Sequence, residues 1–437
     1  MKRKIMDELI KWKQQKGERL PLILYGARQV GKTYILEEFG RKYYKDYVYI
    51  NFEQMEYIRE IFEKDLIPDK IILNIERYLK KEIIPEQTLI IFDEIQASEK
   101  ALTSLKYFAE QASEYHIVAA GSLLGVAINR EKFSFPVGKV KMINLYPLDF
   151  EEFLWEMNEE ILIKSIKESI KTNESLLKFE HERALELYRE YLIIGGMPAA
   201  IKNFSKNKDF KQVREIQYNI LNSYIADMAK YTTATESVKI RTAYDSVPAQ
   251  LAKENKKFQY KLLKKGASSS NFGVALEWLD LAKIIIKCKK ICNVEKPLEA
   301  NIDLSSFKIY MGDVGLLTYK TNIAPEDILL ESSDINQYKG AIIENYIAAA
   351  LQDCNFNLYY WESEGKAEVD FITLINNKII PIEVKSSNRT RSRSLNVYME
   401  RYKPDYAIRL STKNFGFENN VKSIPLYAIF ALGDLEE

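Results

Sequence analysis

The chain is 437 residues long, with 46% hydrophobic and 29% charged residues, a composition that excludes disorder or a coiled coil as a description of the whole. At a prior of roughly 150 residues per domain, it holds material for about three domains. Lys and Arg number 63 against 62 Asp and Glu, a formal net charge of +1, so a nucleic-acid partner would have to be met by local patches rather than by global charge.

The opening MKRKIMDELIKW lacks the unbroken apolar core and small-residue cleavage site of an export signal. IVAAGSLLGVAI at 117–128, the most apolar stretch, is too short to span a bilayer. Three cysteines, Cys288, Cys292 and Cys354, do not make a disulfide framework, and the histidines His116 and His181 stand far from them in sequence. A cytoplasmic protein with no membrane partner is expected.

In chain order, the first part alternates strands and helices. LPLILY (20–25), YVYINF (47–52), TLIIFD (88–93), HIVAAG (116–121) and KVKMINL (139–145) read as strands, with helices over 33–42, 69–81 and 99–113. Such alternation predicts a parallel sheet covered on both faces. Gly26-Ala27-Arg28-Gln29-Val30-Gly31-Lys32-Thr33 fits the phosphate-loop pattern G-x-x-x-x-G-K-[ST], after a strand and opening a helix. The glycines let the backbone fold its N–H groups around phosphate at a helix N-terminus. Lys32 is assigned to the β and γ phosphates and the Thr33 hydroxyl to Mg²⁺. LIIFDE at 89–94 ends a buried strand in two acids, Asp93 for the Mg²⁺ shell and Glu94 to orient the attacking water. Ser122, after HIVAAG, is a candidate sensor of the γ-phosphate, and Arg130 a candidate arginine finger. A guanine-reading Asn-Lys-x-Asp is missing, since Asn207-Lys208-Asp209 carries its Asp one residue early, so ATP is preferred to GTP.

A helix is expected over 148–179, then a turn at IIGGMPAA (193–200), where Gly195 and Gly196 permit positive φ and Pro198 suits a helix start. From 205 to 330 helices over 237–253 and 269–281 precede strand-like KIIIKCKKI (283–291) and FKIYMGD (307–313). That order suggests a winged helix with 269–281 as recognition helix. The lysines of KENKKFQYKLLKK (253–265) and of 287–290 flank it and make DNA a candidate partner.

The last hundred residues form a further α/β unit, with a helix over 338–352 and strands in LYYWES, EVDFITLI and IIPIEVKS. Asp370 and Glu383, on neighbouring strands, are candidate Mg²⁺ ligands, with Lys385 beside a bound water and scissile phosphate and Glu344 adding a contact. This is the D…E-x-K pattern of many metal-dependent nucleases. Arg389, Arg391 and Arg393 nearby are candidate backbone-phosphate contacts.

GARQVGKT, INFE, IFDEIQ, AAGSLLG, LYPLDFEEFL, YLIIGGMPAAI, and KAEVDF with PIEVKSS together resemble the bacterial and archaeal AAA-type P-loop ATPases with a C-terminal DUF4143, restriction-endonuclease-like region. The resemblance covers nearly the whole chain. It implies ATP binding at Gly26 to Thr33 with Asp93 and Glu94, a winged-helix middle, a nuclease-like tail and, by analogy, homo-oligomers. Where similar chains often carry Gly-Arg this one has Gly138-Lys139, which does not support an arginine finger there.

The expected fold is α/β, divided into a P-loop ATPase domain (1–160), a helical lid and winged-helix region (161–330) and a restriction-endonuclease-like domain (331–437). The expected activity is Mg²⁺-dependent ATP hydrolysis driving the rest of the chain as motor or switch. The alternatives are an ATP-gated, metal-dependent DNA nuclease, and a nucleotide-switched DNA or protein binding module whose nuclease-like domain is inactive.

Overall fold

A computed structural model describes residues 1–437 except 16, 18, 122–134, 231, 364–366, 387–392 and 436–437, and gives the backbone alone at 336 and 337. The chain divides into two compact units, Lys2–Tyr146 with Leu281–Lys283, and Pro147–Asp280 with Ile284–Glu437.

The smaller unit is the parallel sheet that the alternation predicts. Its strands β1 (Leu22–Tyr25), β2 (Asp46–Asn51), β3 (Thr88–Asp93), β4 (His116–Gly121) and β5 (Lys141–Asn144) lie in the order β2-β3-β4-β1-β5, every pair parallel. β3 and β4 are buried along their whole length, as expected of central strands covered on both faces. One face packs Ile23, Ile50, Phe52 and Phe92 against α3 (Glu56–Lys64), α4 (Pro68–Leu79) and α5 (Glu99–Gln111). Phe52, Phe62 and Phe92 form an edge-to-face triad with centroids 5.3–5.6 Å apart. The other face belongs to α1 (Ile5–Lys13) and α2 (Lys32–Tyr43), through Trp12, Phe39 and His116.

In the larger unit the helix expected over 148–179 is two, α6 (Phe150–Glu156) and α7 (Glu160–Thr172), because Asn158 and Asn173 adopt left-handed φ of 61° and 63°. Helices α8 (Lys178–Ile194), α9 (Pro198–Asn207), α10 (Phe210–Lys230), α11 (Ala234–Leu251) and α12 (Ser269–Leu281) follow. The glycine turn between α8 and α9 is fixed by close approach: a Cβ on Gly196 would lie 2.1 Å from the Leu148 carbonyl oxygen. Asp313 closes the same turn from afar, accepting from the Gly196 amide at 2.6 Å and the Leu316 amide at 2.8 Å.

An eight-stranded mixed sheet completes this unit, in the order β12-β13-β11-β10-β9-β8-β6-β7. Its strands are β6 (Ile285–Ile291), β7 (Ile302–Met311), β8 (Tyr359–Ser363), β9 (Ala367–Ile375), β10 (Lys378–Val384), β11 (Ala407–Ser411), β12 (Gly416–Glu418) and β13 (Val421–Pro425). Helices α13 (Val314–Lys320), α14 (Pro325–Leu329), α15 (Asn336–Asp353) and α16 (Arg393–Tyr402) are interleaved with them. The hairpin that sequence reading took for a wing is β6 and β7, and β6 pairs in parallel with β8. The sheet therefore runs across the boundary expected at 330, and the middle and C-terminal segments share one layer. Helix α12 carries no Lys or Arg and buries Phe272, Leu276, Trp278 and Leu279, a poor electrostatic match for a recognition helix.

Candidate functional site

Residues 26–33 turn sharply between the interior strand β1 and helix α2. Gly31 is in the left-handed region at φ 94° as N-cap of α2, and Gln29 joins it at φ 67°. Gly26 has no substitute, since a Cβ there would meet the Leu145 carbonyl oxygen at 2.1 Å. This turn stands at the C-terminal end of β1, beside β4 on one side and β5 on the other, the edge where open parallel sheets bind ligands. Lys32 is buried, and its ammonium donates to the loop's own carbonyls, Gly26 O at 3.0 Å and Ala27 O at 2.8 Å.

Strand β3 brings the acids to the same edge, one strand away from β1 across β4. Thr33 Oγ1 donates to Asp93 Oδ2 at 2.8 Å, so the two residues assigned from sequence to the metal do meet. Tyr49 adds a second donor to that oxygen at 2.7 Å, and the Glu94 amide donates to Asp93 Oδ1 at 3.0 Å. Glu94 itself sits at φ 49°, a left-handed conformation that costs energy for a residue with a Cβ and clusters at functional positions. Its carboxyl pKa is raised, first by burial, against a hydrogen bond from Gln96 Nε2 at 2.5 Å and with a further push from Asp93. A carboxylate held in this way is a better proton acceptor than one in open water.

Three residues here were not singled out from sequence. Arg3 is buried, and its guanidinium donates to Val30 O inside the loop at 2.9 Å and to Tyr146 O at 2.8 Å, tying the loop to the chain beyond β5. Tyr49 and Gln96 hold the two acids. The alternation of YVYINF places Tyr49 one residue out of phase with buried Val48 and Ile50, a phase readable in the sequence, whereas Arg3 gave no local signal. Ser122 and Arg130 lie outside the described residues, as do Arg389 and Arg391.

The C-terminal candidates also converge. Antiparallel β9 and β10 pair Phe371 with Ile382, which sets Asp370 opposite Glu383 one step further on. Asp370 Oδ2 accepts from the Val384 amide at 2.8 Å, and Lys385 pairs with Glu383. Glu344 on α15 is buried and ion-paired to Lys256 and, at 3.2 Å, to Lys308, which also pairs with Glu368. Burial resists ionisation of Glu344, but Lys256 and Lys308 overcome it and hold its carboxyl at about 2. Asp370 moves the other way, raised by burial and by the charges of Glu383 and Glu344. Among the described residues, no three His, Cys, Asp or Glu side chains form a group arranged to hold a metal ion.

A glycine-bounded phosphate turn on a parallel sheet, with a Thr–Asp contact and a trailing glutamate, defines the class as a P-loop nucleotide-binding unit. Comparison with known families agrees. Residues 18–154 match the AAA domain model, 185–327 match the domain of unknown function DUF8612, and 339–429 match DUF4143. The N-terminal segment is thus similar to AAA domains and the C-terminal segment to DUF4143. It is 24% identical over 398 residues to the uncharacterized protein MJ1544 of Methanocaldococcus jannaschii, covering 86% of this chain and 77% of that one. Among solved structures, it is similar to the Walker-type ATPase paby2304 of Pyrococcus abyssi, at 15% identity, 73% and 95% coverage and a TM-score of 0.45. The ORC2 protein of Aeropyrum pernix, in ADPNP–ADP complexes, is similar at 10% identity, 76% and 91% coverage and a TM-score of 0.33. At scores this low, neither likeness carries weight for the site. Among the described residues no helix is long and apolar enough to cross a membrane.

Proposed function

We propose that the smaller unit binds ATP with Mg²⁺ and hydrolyses it, and that turnover serves as the motor or switch for the rest of the chain. The observation that carries this reading is the 2.8 Å contact between Thr33 and Asp93, directly beside the strained and half-buried Glu94. Two oxygen donors at one spot suit a hard cation that keeps water and phosphate as its remaining ligands. Mg²⁺ held there by Thr33 and Asp93 would neutralise charge on the β and γ phosphates.

The chain's own residues do the rest. Amides of the loop Gly26, Ala27, Arg28, Gln29, Val30 and Gly31 face the phosphates. Lys32 exchanges its two loop carbonyls for β- and γ-phosphate oxygens. Glu94 accepts a proton from the water whose oxygen bonds to the γ-phosphorus, while the bond to the β–γ bridging oxygen breaks and ADP leaves. For DNA, the lysine-rich stretches offer less unspent charge than their sequence suggests. Lys256 pairs with Glu344, Lys287 with Asp280 at 3.6 Å and Lys290 with Glu362 at 3.1 Å, so the proposal rests on the ATPase.

Steady-state phosphate release from ATP and Mg²⁺ tests it, with Lys32→Ala alongside. Turnover in the unaltered protein that Lys32→Ala abolishes is the expected result. No turnover and no ATP binding, or equal turnover in both proteins, would overturn it.

A further inference from the structure

Of the acids assigned from sequence to a nuclease metal site, Glu344 and Glu383 already face cations belonging to the chain itself. Lys308 is fully buried on β7, and its ammonium meets Glu344 from α15 and Glu368 from β9, with the Tyr360 ring centroid 4.9 Å away. The second oxygen of Glu344 is taken by Lys256, and its first also accepts from Tyr310 at 2.5 Å. Lys385 pairs with Glu383, and the Val384 amide donates to Asp370. Each of these acids therefore has a donor from the protein on it: Lys256 and Lys308 on Glu344, Lys308 on Glu368, Lys385 on Glu383 and an amide on Asp370.

A divalent cation asks for something else. Mg²⁺ or Mn²⁺ needs near-octahedral oxygen ligands with charge left to give, and open positions for water. An ammonium surrounded by carboxylates meets that charge and offers no open position. Placement of the lysine is built into the strand: β7 alternates, so Lys308 and Tyr310 share a face, and both reach Glu344. A buried lysine is costly to ionise unless paired, and here it is paired twice.

We propose that the Lys308 ammonium is the resident cation of this carboxylate cluster, so that the native site takes no divalent metal and does not cleave phosphodiesters. The proposal concerns the larger unit and stands or falls separately from ATP hydrolysis in the smaller one.

The test is a Mn²⁺ titration of the nucleotide-free full chain, followed by the loss of the free-ion signal in electron paramagnetic resonance. For the unaltered protein, the expected result is no Mn²⁺ site that Asp370→Asn removes, and no Mn²⁺-dependent cleavage of plasmid DNA that Asp370→Asn abolishes. Lys308→Ala vacates the centre and leaves the carboxylates, so it should gain a Mn²⁺ site roughly tenfold or more tighter than any in the parent, lost again when Glu344→Gln is added. A site in the unaltered protein that survives Asp93→Asn and is lost in Asp370→Asn overturns the proposal, as does a folded Lys308→Ala protein that gains no Mn²⁺. Should Lys308→Ala fail to fold, the unaltered protein decides alone, since absence of the Asp370-dependent site supports the proposal and its presence ends it.

Discussion

Two acidic clusters in this molecule start from the same residue types and differ in their neighbours. In the smaller unit, Asp93 accepts from two hydroxyls, Thr33 and Tyr49, and from an amide. Neutral donors orient a carboxylate without cancelling its charge. In the larger unit, Glu344, Glu368 and Glu383 are met by Lys256, Lys308 and Lys385. Cationic donors orient and neutralise together. The contrast separates an acid held by neutral donors from one whose charge has been met by lysines inside the fold, a distinction that a motif in the sequence does not draw.

Substitutions can break or sharpen that contrast. The largest effect is expected from Glu94→Gln, which keeps the shape and the Gln96 contact but removes the carboxylate proposed as proton acceptor. ATP turnover should fall by roughly 10²- to 10⁴-fold while ATP binding is retained, measured by single-turnover hydrolysis beside nucleotide titration. Equal loss of binding would show that Glu94 is holding the loop rather than acting on water. Next is Glu344→Ala, which leaves Lys308 buried without its main partner. It should cost about 3–5 kcal/mol in denaturant unfolding, whereas Asn at Asp93, whose donors are neutral, should cost far less.

A pH effect of about 3 kcal/mol is expected in the smaller unit from His116, buried between Arg19 and Tyr44. Arginine can only donate, so the Nε2 beside it accepts, and Nδ1–H donates to Tyr44 Oη at 2.7 Å. The imidazole is therefore neutral, its pKa lowered from 6.5 to about 4 by burial and by the charges of Arg19 and Lys13. Since the unfolded chain binds this proton more readily, the contribution is whole above pH 6.5 and lost as pH falls toward 4. Thermal melts across that window check it, and a His116→Gln protein should lose the slope. The smallest effect is expected from Arg3→Gln, at about 2 kcal/mol in stability, with a weakened ATP affinity from the loosened loop.

The smaller unit was legible because its signals are local. Strand, phosphate turn and helix are contiguous at 22–43, and the Asp93-Glu94 pair ends its own apolar strand, so spacing alone brought these residues to one edge of the sheet. What could not be read was the support from elsewhere, such as Arg3 reaching Val30. In the larger unit the carboxylates were singled out, but not the lysines that pair with Glu344. Lys256 falls in a run of lysines that reads as a nucleic-acid patch, and Lys308 lies in a strand read as part of a wing. Both come from segments far from 344–385 in sequence; the pairing of β6 with β7 and β8 brings in Lys308, and the bridge between Lys257 and Lys308 brings in Lys256. One hint was present, because Glu344 interrupts the apolar run AIIENYIAAA and a buried acid demands a counter-charge.

The parallel pairing of β6 with β8 also bears on how the chain can be divided. A fragment beginning at residue 331 matches the DUF4143 segment but lacks β6 and β7. Its β8 would become an exposed edge carrying Tyr359, Tyr360 and Trp361, with unpaired backbone groups open to a second chain, while Glu344 and Glu368 would lose Lys308. Such a fragment is expected to self-associate, whereas one beginning near Pro147 keeps the sheet and its lysines together.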